Sequence, residues 1–231
     1  MKKIGLIGGT GPESTILYYH DLVYGVQKQL GTDFFPELVI ESLSVFRVLE
    51  FCRNQDYKGL SDYLLAGIKN LAAARAHYGA LTGITPHIVF EELSEKSPIP
   101  LVSMVETARE ASLKRGFKKI CLLGTLPTME GTFFQDSFAA KGIEVVVPSK
   151  KEREYIGSKI ETELEYGKVL PSTKEEFASI AERIAREEGA EVIVLGCTEL
   201  PLIFKDMELS VPYLDVMRIH IDALVALSLS E

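Results

Sequence analysis

Ile4-Gly5-Leu6-Ile7-Gly8-Gly9-Thr10 is a short apolar run closed by two glycines. Such a run reads as a buried strand that ends in a tight turn. Pro12, two residues on, suits the first turn of a helix, here read as running to about Leu30. The pattern returns as Ile120-Cys121-Leu122-Leu123-Gly124-Thr125, with Gly8 and Gly124 116 residues apart. Two further echoes follow in the same order. Leu81–Phe90 (LTGITPHIVF) resembles Val194–Phe204 (VLGCTELPLIF), with Thr85 and Thr198 113 apart. Ile99–Met104 (IPLVSM) resembles Val211–Val216 (VPYLDV), with Pro100 and Pro212 112 apart. Three matches at nearly one offset point to a duplicated unit.

Between these marks, strand-like and helix-like segments alternate. Strands are expected at 3–8, 37–41, 80–83, 99–103, 119–123, 143–147, 191–195 and 213–215. Helices are expected at 12–30, 60–76, 104–115, 129–140, 150–166, 173–187 and 220–229. Alternation of this kind predicts an α/β fold built on mainly parallel sheets. The expected division is a first α/β domain at 1–104, with the C-terminal segment 213–231 packing back on it, and a second at 105–212. Ligands of open α/β sheets bind outside the C-terminal strand ends. If the two halves face each other, a cleft between them would be lined by both sets of loops.

Composition removes several function classes. The 231 residues are 46% hydrophobic and 25% charged, which is ordinary for a globular chain. A formal net charge of −8 argues against nucleic acid as a partner, since backbone binding needs clustered Lys and Arg. No apolar stretch approaches the roughly 20 residues of a membrane span, and the N-terminal apolar run is too short for a signal peptide. Three scattered cysteines and no CxxC pair predict neither a disulfide framework nor structural zinc, so a soluble cytoplasmic protein with reduced thiols is expected.

Gly196-Cys197-Thr198-Glu199 carries the sharpest chemistry. A cysteine between a strand end and a helical turn lies near backbone N–H groups, which favour the thiolate and lower its pKa. Such a thiol could exchange protons with a carbon acid or act as a nucleophile. It could equally be a small buried residue capping a strand. Cys121 falls inside an expected strand and reads as core. Cys52 reads as a packing residue or as a thiol on a loop. The turn Gly8–Thr15 could hold a carboxylate or phosphate. It fails as a dinucleotide fingerprint, because Ser14 stands where the third glycine belongs and Glu41 comes too late. No Walker motif is present. His87 reads as a hydrogen-bonded structural residue or a catalyst. His20, His77 and His220 lack partners at metal-binding spacing, so no metal site is expected.

Taken together, IGLIGGTGPEST, TPH at Thr85–His87, IPLVSMVETA, LLGTLPTME at Leu122–Glu130 and GCTELPL at Gly196–Leu202 resemble the aspartate/glutamate racemase family over nearly the whole chain. The resemblance implies two similar α/β domains with pseudo-twofold symmetry and a cleft between them. It implies an isomerase, an amino-acid racemase working without pyridoxal phosphate, metal or other cofactor, usually as a homodimer. Family members place one cysteine from each half on opposite faces of the substrate α-carbon, because a fixed base reaches only one face. In this sequence GCTE supplies Cys197. The family's first cysteine falls on Thr82 or Gly83, and its asparagine on Ile84.

The catalytic candidates are therefore Cys197 and Thr82, with water or Cys52 as other substitutes for the missing thiol. The candidate substrate-binding set is Thr10, Gly83, Ile84, Thr85, Thr125, Thr198 and Glu199. The segment 163–168, where some aspartate-specific members carry a cation, is acidic here. The leading expectation is a racemase of aspartate, glutamate or a related amino acid that retains only the second-half cysteine. Arylmalonate decarboxylases resemble the same family and also keep that cysteine alone, facing a glycine. A single-cysteine decarboxylase or isomerase is thus the alternative, and an inactive small-carboxylate-binding homologue is a third.

Overall fold

The computed structural model describes residues 1–31 and 33–230. The chain forms two compact units, one of residues 1–107 together with Met217 onward, the other of residues 108–216.

In the first unit, β1 (Ile4–Gly8), β2 (Leu38–Ser42), β3 (Tyr78–Leu81) and β4 (Leu101–Val102) form one parallel sheet in the order β2-β1-β3-β4. The connections are α1 (Pro12–Leu30), α2 (Val45–Arg53), α3 (Tyr57–Ala73), a 3-10 turn at Thr85–Val89 and α4 (Phe90–Lys96). Then α5 (Met104–Lys114) contains the boundary between the units. Every residue of β1 and β3 is buried, as expected of central parallel strands covered on both faces. Leu60, Leu64, Ile68 and Leu71 of α3 recur at helical spacing and pack with Ile7 and Leu81 of the sheet.

The second unit repeats the plan. Its strands β5 (Lys119–Gly124), β6 (Glu144–Val146), β7 (Val192–Gly196) and β8 (Tyr213–Asp215) form a parallel sheet in the order β6-β5-β7-β8. Its helices are α6 (Leu126–Glu130), α7 (Thr132–Ala139), α8 (Lys150–Thr162), α9 (Pro171–Glu188) and α10 (Leu200–Phe204), with a 3-10 turn at Leu164–Tyr166. Cys121, Phe177, Ile184, Ile193 and Phe204 are among its buried core. The closing helix α11 (Val216–Leu229) belongs to the first unit from Met217 onward, where Tyr78 Oη donates to the Leu224 carbonyl. Two α/β units with the same strand order agree with the α/β fold class and duplication read from sequence.

Several element boundaries differ from expectation. The helix expected at 129–140 is two helices, broken where Gly131 takes an extended conformation. That expected at 150–166 ends at Thr162, before the 3-10 turn. The strand expected at 80–83 lies at Tyr78–Leu81, so Thr82 and Gly83 belong to the loop beyond it. Helix α2 was not anticipated, although its apolar residues recur at helical spacing; only Val48 of its nine residues is buried. Cys52 therefore sits on a helix rather than a loop.

Candidate active site

Loops at the C-terminal ends of β1, β3, β5 and β7 carry the candidate residues. In the first unit, Gly9 has φ +76°, and a Cβ there would stand 2.0 Å from the Leu43 carbonyl oxygen, so only glycine fits. Its N–H donates to Thr15 Oγ1 at 2.9 Å. This turn delivers the chain to α1, whose N-terminus has Gly11 as cap residue and no side-chain cap. Thr10 Oγ1 is buried there without a hydrogen-bond partner. A buried unpaired hydroxyl is costly, and with a helix N-terminus it makes a suitable seat for a carboxylate.

Thr82 directly follows β3. It is fully buried, with Oγ1 3.1 Å from the Ile7 carbonyl and 3.2 Å from Thr15 Oγ1. Its hydroxyl thus ties β3 to the β1 turn. Strand register identifies the counterpart of Cys197. Ile7 pairs with Leu81 and Leu123 pairs with Leu195. Setting Gly8 on Gly124 therefore sets Thr82 on Gly196 and Gly83 on Cys197. A Cβ on Gly83 would stand 2.6 Å from the Thr10 carbonyl oxygen, so that position is closed to any side chain unless backbone moves.

His87 fixes this loop. The Met104 N–H donates to its Nε2 at 3.0 Å, which leaves Nδ1–H facing the carbonyls of Gly83 and Ile84 at 3.1 and 3.2 Å. Burial pushes its pKa down to about 4, and its ring stacks on Phe90. His87 is therefore a neutral, fully engaged structural residue, the first of the two roles the sequence allowed. Ile84 is buried and Thr85 opens the 3-10 turn beside it.

In the second unit, Cys197 directly follows β7 and is 7% exposed. Its Sγ–H donates to Glu199 Oε2 at 3.0 Å, and the Thr198 hydroxyl donates to the same oxygen at 2.8 Å. The expected depressed thiol pKa is overturned. Burial first, then the Glu199 carboxylate, raise it well above the ordinary value. The Glu199 backbone N–H does favour the thiolate, as anticipated, but is outweighed. Helix α10 begins only at Leu200 and spans five residues, so its terminus offers little compensation. The resting group is a thiol hydrogen-bonded to a carboxylate. Sequence reasoning placed Glu199 among substrate contacts and missed this partnership, although the i, i+2 spacing in Cys-Thr-Glu is its visible trace.

Thr125, in the turn after β5, lies 3.0 Å from Thr128 through the hydroxyls and is its helix's cap residue. Cys121 is wholly buried in β5, where burial raises its thiol pKa. Among the described residues no cluster of three or more His, Cys, Asp or Glu is arranged to hold a metal ion, and no helix is long and apolar enough to cross a membrane.

Comparison with known proteins agrees with these features. A family model for Asp/Glu/hydantoin racemase matches residues 7–224. The chain is 23% identical over 219 residues to the broad specificity amino-acid racemase RacX of Bacillus subtilis (strain 168), with 92% of each covered. It is 37% identical to the crystal structure of an aspartate racemase homologue from Pyrococcus horikoshii OT3, with both chains covered in full and a TM-score of 0.86. The aspartate racemase of Picrophilus torridus shares the fold, with a TM-score of 0.75, 20% identity and coverage of 99% and 94%. Repeated parallel sheets, glycine-closed strand ends and a thiol after the seventh strand thus meet a match over nearly the whole sequence, and the chain belongs to the Asp/Glu/hydantoin racemase family.

Proposed function

We propose that this protein is a cofactor-independent enzyme that moves a proton at the α-carbon of a small amino acid, with Cys197 as its single thiol acid–base group. The hydrogen bond from Cys197 Sγ to Glu199 Oε2 carries this reading. Glu199 accepts the thiol proton, and the resulting thiolate takes the α-hydrogen of the substrate. The carbanion is reprotonated by the thiol on the same face, which gives exchange, or by water on the other, which gives inversion. Burial opposes loss of the thiol proton and favours the step after it, since a desolvated thiolate, once formed, is a stronger base. Within the second unit, Thr125 and Thr198 would be substrate contacts; within the first, the uncapped start of α1 and the unpaired Thr10 hydroxyl form a candidate seat for a carboxylate, and Thr85 is a further candidate contact.

Thr82 is a weak candidate for the second acid–base group in this reading, because its hydroxyl already bonds Ile7. Racemisation is then the net outcome, with inversion slower than exchange. The reading extends to a cytoplasmic homodimer that uses neither pyridoxal phosphate nor metal. All three cysteines are unpaired, which suits a reducing compartment.

The closed position at Gly83 also favours a second reading, decarboxylation. There a substrate carboxylate leaves as carbon dioxide, and the Cys197 S–H protonates the carbanion left behind. One thiol suffices for that reaction. The test is to incubate the protein in heavy water with L- and D-aspartate, L- and D-glutamate and neutral amino acids. NMR then follows the α-proton while chiral chromatography follows configuration. Exchange lost in Cys197→Ala supports the first reading. No exchange, but protonation of a malonate half-acid after loss of carbon dioxide, supports the second. Neither reaction, with thermal stabilisation by small carboxylates alone, would make the protein a binder.

A further inference from the structure

The two units differ at the N-terminal edge of their sheets, the end away from the candidate catalytic loops. Strand register sets Lys3 on Lys119, Glu37 on Glu144, His77 on Glu191 and Arg75 on Gly189. In the second unit this edge neutralises itself. Lys119 pairs with Glu144 at 2.8 Å, and the Glu191 carboxylate accepts the N–H groups of Lys118 and Lys119 at 2.6 and 3.2 Å. Gly189 ends α9 with φ +71°, a left-handed turn that glycine makes without strain.

The first unit keeps the turn and changes the side chains. Arg75 stands where the glycine stood, with φ +62°, so its backbone carries strain that glycine would avoid. The end of α3 does not call for it, because Lys3 Nζ already bonds the Ala74 carbonyl at 3.0 Å. The Arg75 guanidinium has no carboxylate or other hydrogen-bond partner among the described residues. His77 replaces the glutamate. Its Nδ1 accepts the Lys3 N–H at 2.8 Å, so the neutral ring holds its own proton on Nε2, as a donor. A cavity of about 520 Å³ opens at this edge, lined by Lys2, Lys3, Phe34, Glu37, Arg75 and His77. Its size falls within the roughly 300–1,000 Å³ of small-molecule sites. Three cations line it against one carboxylate, in a chain of net charge −8. An arginine fork and ammonium groups suit a phosphate, a carboxylate accepts sugar hydroxyls, and the half-exposed Phe34 ring offers a face to a flat base.

We infer that this cavity is a second ligand site, which binds a nucleoside monophosphate. Arg75, Lys3 and the His77 Nε2–H hold the phosphate, Glu37 the ribose hydroxyls, and Phe34 stacks on the base. The five residues of β1 separate it from the Gly9–Thr10 turn by about 16 Å. The site is therefore distinct from the candidate carboxylate seat and independent of the proton transfer proposed at Cys197.

The test is calorimetric titration of the full chain with AMP, UMP, adenosine and inorganic phosphate, alongside thermal shift. At least one nucleotide is expected to bind with a Kd of about 1 mM or tighter. Adenosine and inorganic phosphate should each bind at least about tenfold more weakly than the better nucleotide. Arg75→Gly relieves the backbone strain, so it should melt no lower than wild type while raising the nucleotide Kd at least about tenfold. Phe34→Ala should weaken the nucleotide and leave inorganic phosphate unchanged. Failure of both nucleotides to bind overturns the inference. So does an affinity untouched by Arg75→Gly, which would put the nucleotide elsewhere, as at the turn after β1. Inorganic phosphate that binds as tightly as the nucleotides overturns it too, because the cavity would then read charge alone.

Discussion

The loops after β3 and β7 occupy the same place in two sheets of identical strand order, yet their side chains differ in kind. After β7 stands a thiol bonded to a carboxylate. After β3 stands Gly83, closed by the Thr10 carbonyl, with Thr82 turned into the core and His87 bracing the backbone. One loop holds a thiol proton on a carboxylate, the proton that the proposed reaction moves, and the other is tied by its hydrogen bonds to neighbouring backbone. Duplication supplies two equivalent positions, but chemistry at both needs side-chain space at both. Here one has been spent on packing.

The largest contrast between the loops should appear on removing the thiol. Cys197→Ala should lower α-proton exchange by about 10²–10⁴-fold, the range of a lost general acid–base group. Cys121→Ala, which removes a thiol from the core of β5, should change stability and leave exchange intact. The pair of variants, assayed by NMR in heavy water and by thermal melts, separates a reacting thiol from a packed one.

Acid should break the first unit in a way the second does not share. His87 and His220 are both fully buried in that unit, with pKa values pushed by burial down to about 4 and about 3. His220 lies between Tyr18 Oη at 2.7 Å and the Val102 carbonyl at 3.1 Å. An unfolded histidine titrates near 6.5, so between about 6.5 and 4 the unfolded chain binds more protons than the folded one. Stability is therefore full above that window and is lost as pH falls through it, by on the order of 3 kcal/mol per histidine. The paired carboxylates of the second unit, such as Glu152, Glu163 and Glu191, have lowered pKa values. Their stabilisation is present above the unfolded carboxylate range, near 4.3, and is lost only below it. Hydrogen exchange at pH 7, 5.5 and 4.5 should show protection lost first around β3, β4 and α11.

Much of this comparison is legible in the sequence. The glycines closing β1 and β5 gave both strand ends, and the 112–116-residue offsets gave the duplication. The spacing could not choose between Thr82 and Gly83 as the counterpart of Cys197, because one residue of register decides it and only strand pairing fixes register. The direction of the Cys197 pKa shift was misread for a related reason. Backbone N–H groups follow from position in the chain, but the return of the Glu199 side chain onto the thiol depends on a loop conformation that no periodicity encodes. Helix α2 was legible and was missed: Val45, Val48, Leu49 and Cys52 recur at helical spacing, although the helix is short and leaves Phe46 77% exposed.

Putting a side chain on Gly83 sharpens the contrast further. Gly83→Ala and Gly83→Cys should each cost about 1–3 kcal/mol through overpacking against Thr10, with no gain in inversion. Chemical denaturation and chiral chromatography would check both. A Gly83→Cys protein of wild-type stability that racemises faster would mean the loop yields readily.

The smallest effect belongs to Glu199→Gln. Losing the carboxylate removes a like charge that raises the thiol pKa, so alkylation of Cys197 should begin at lower pH. Exchange should nevertheless fall, by roughly tenfold to a hundredfold, because the thiol has lost its proton acceptor. A thiol that grows more acidic while catalysis weakens distinguishes a proton partner from a residue that merely packs.

The most direct test of single-sided proton transfer is the ratio of exchange to inversion in heavy water, from each enantiomer of one accepted amino acid. With Cys197 alone, deuterium should enter one enantiomer many times faster than that enantiomer inverts, and the other enantiomer should exchange slowly. Equal rates of exchange and inversion from both enantiomers would contradict this, and would mean that a second acid–base group works on the opposite face.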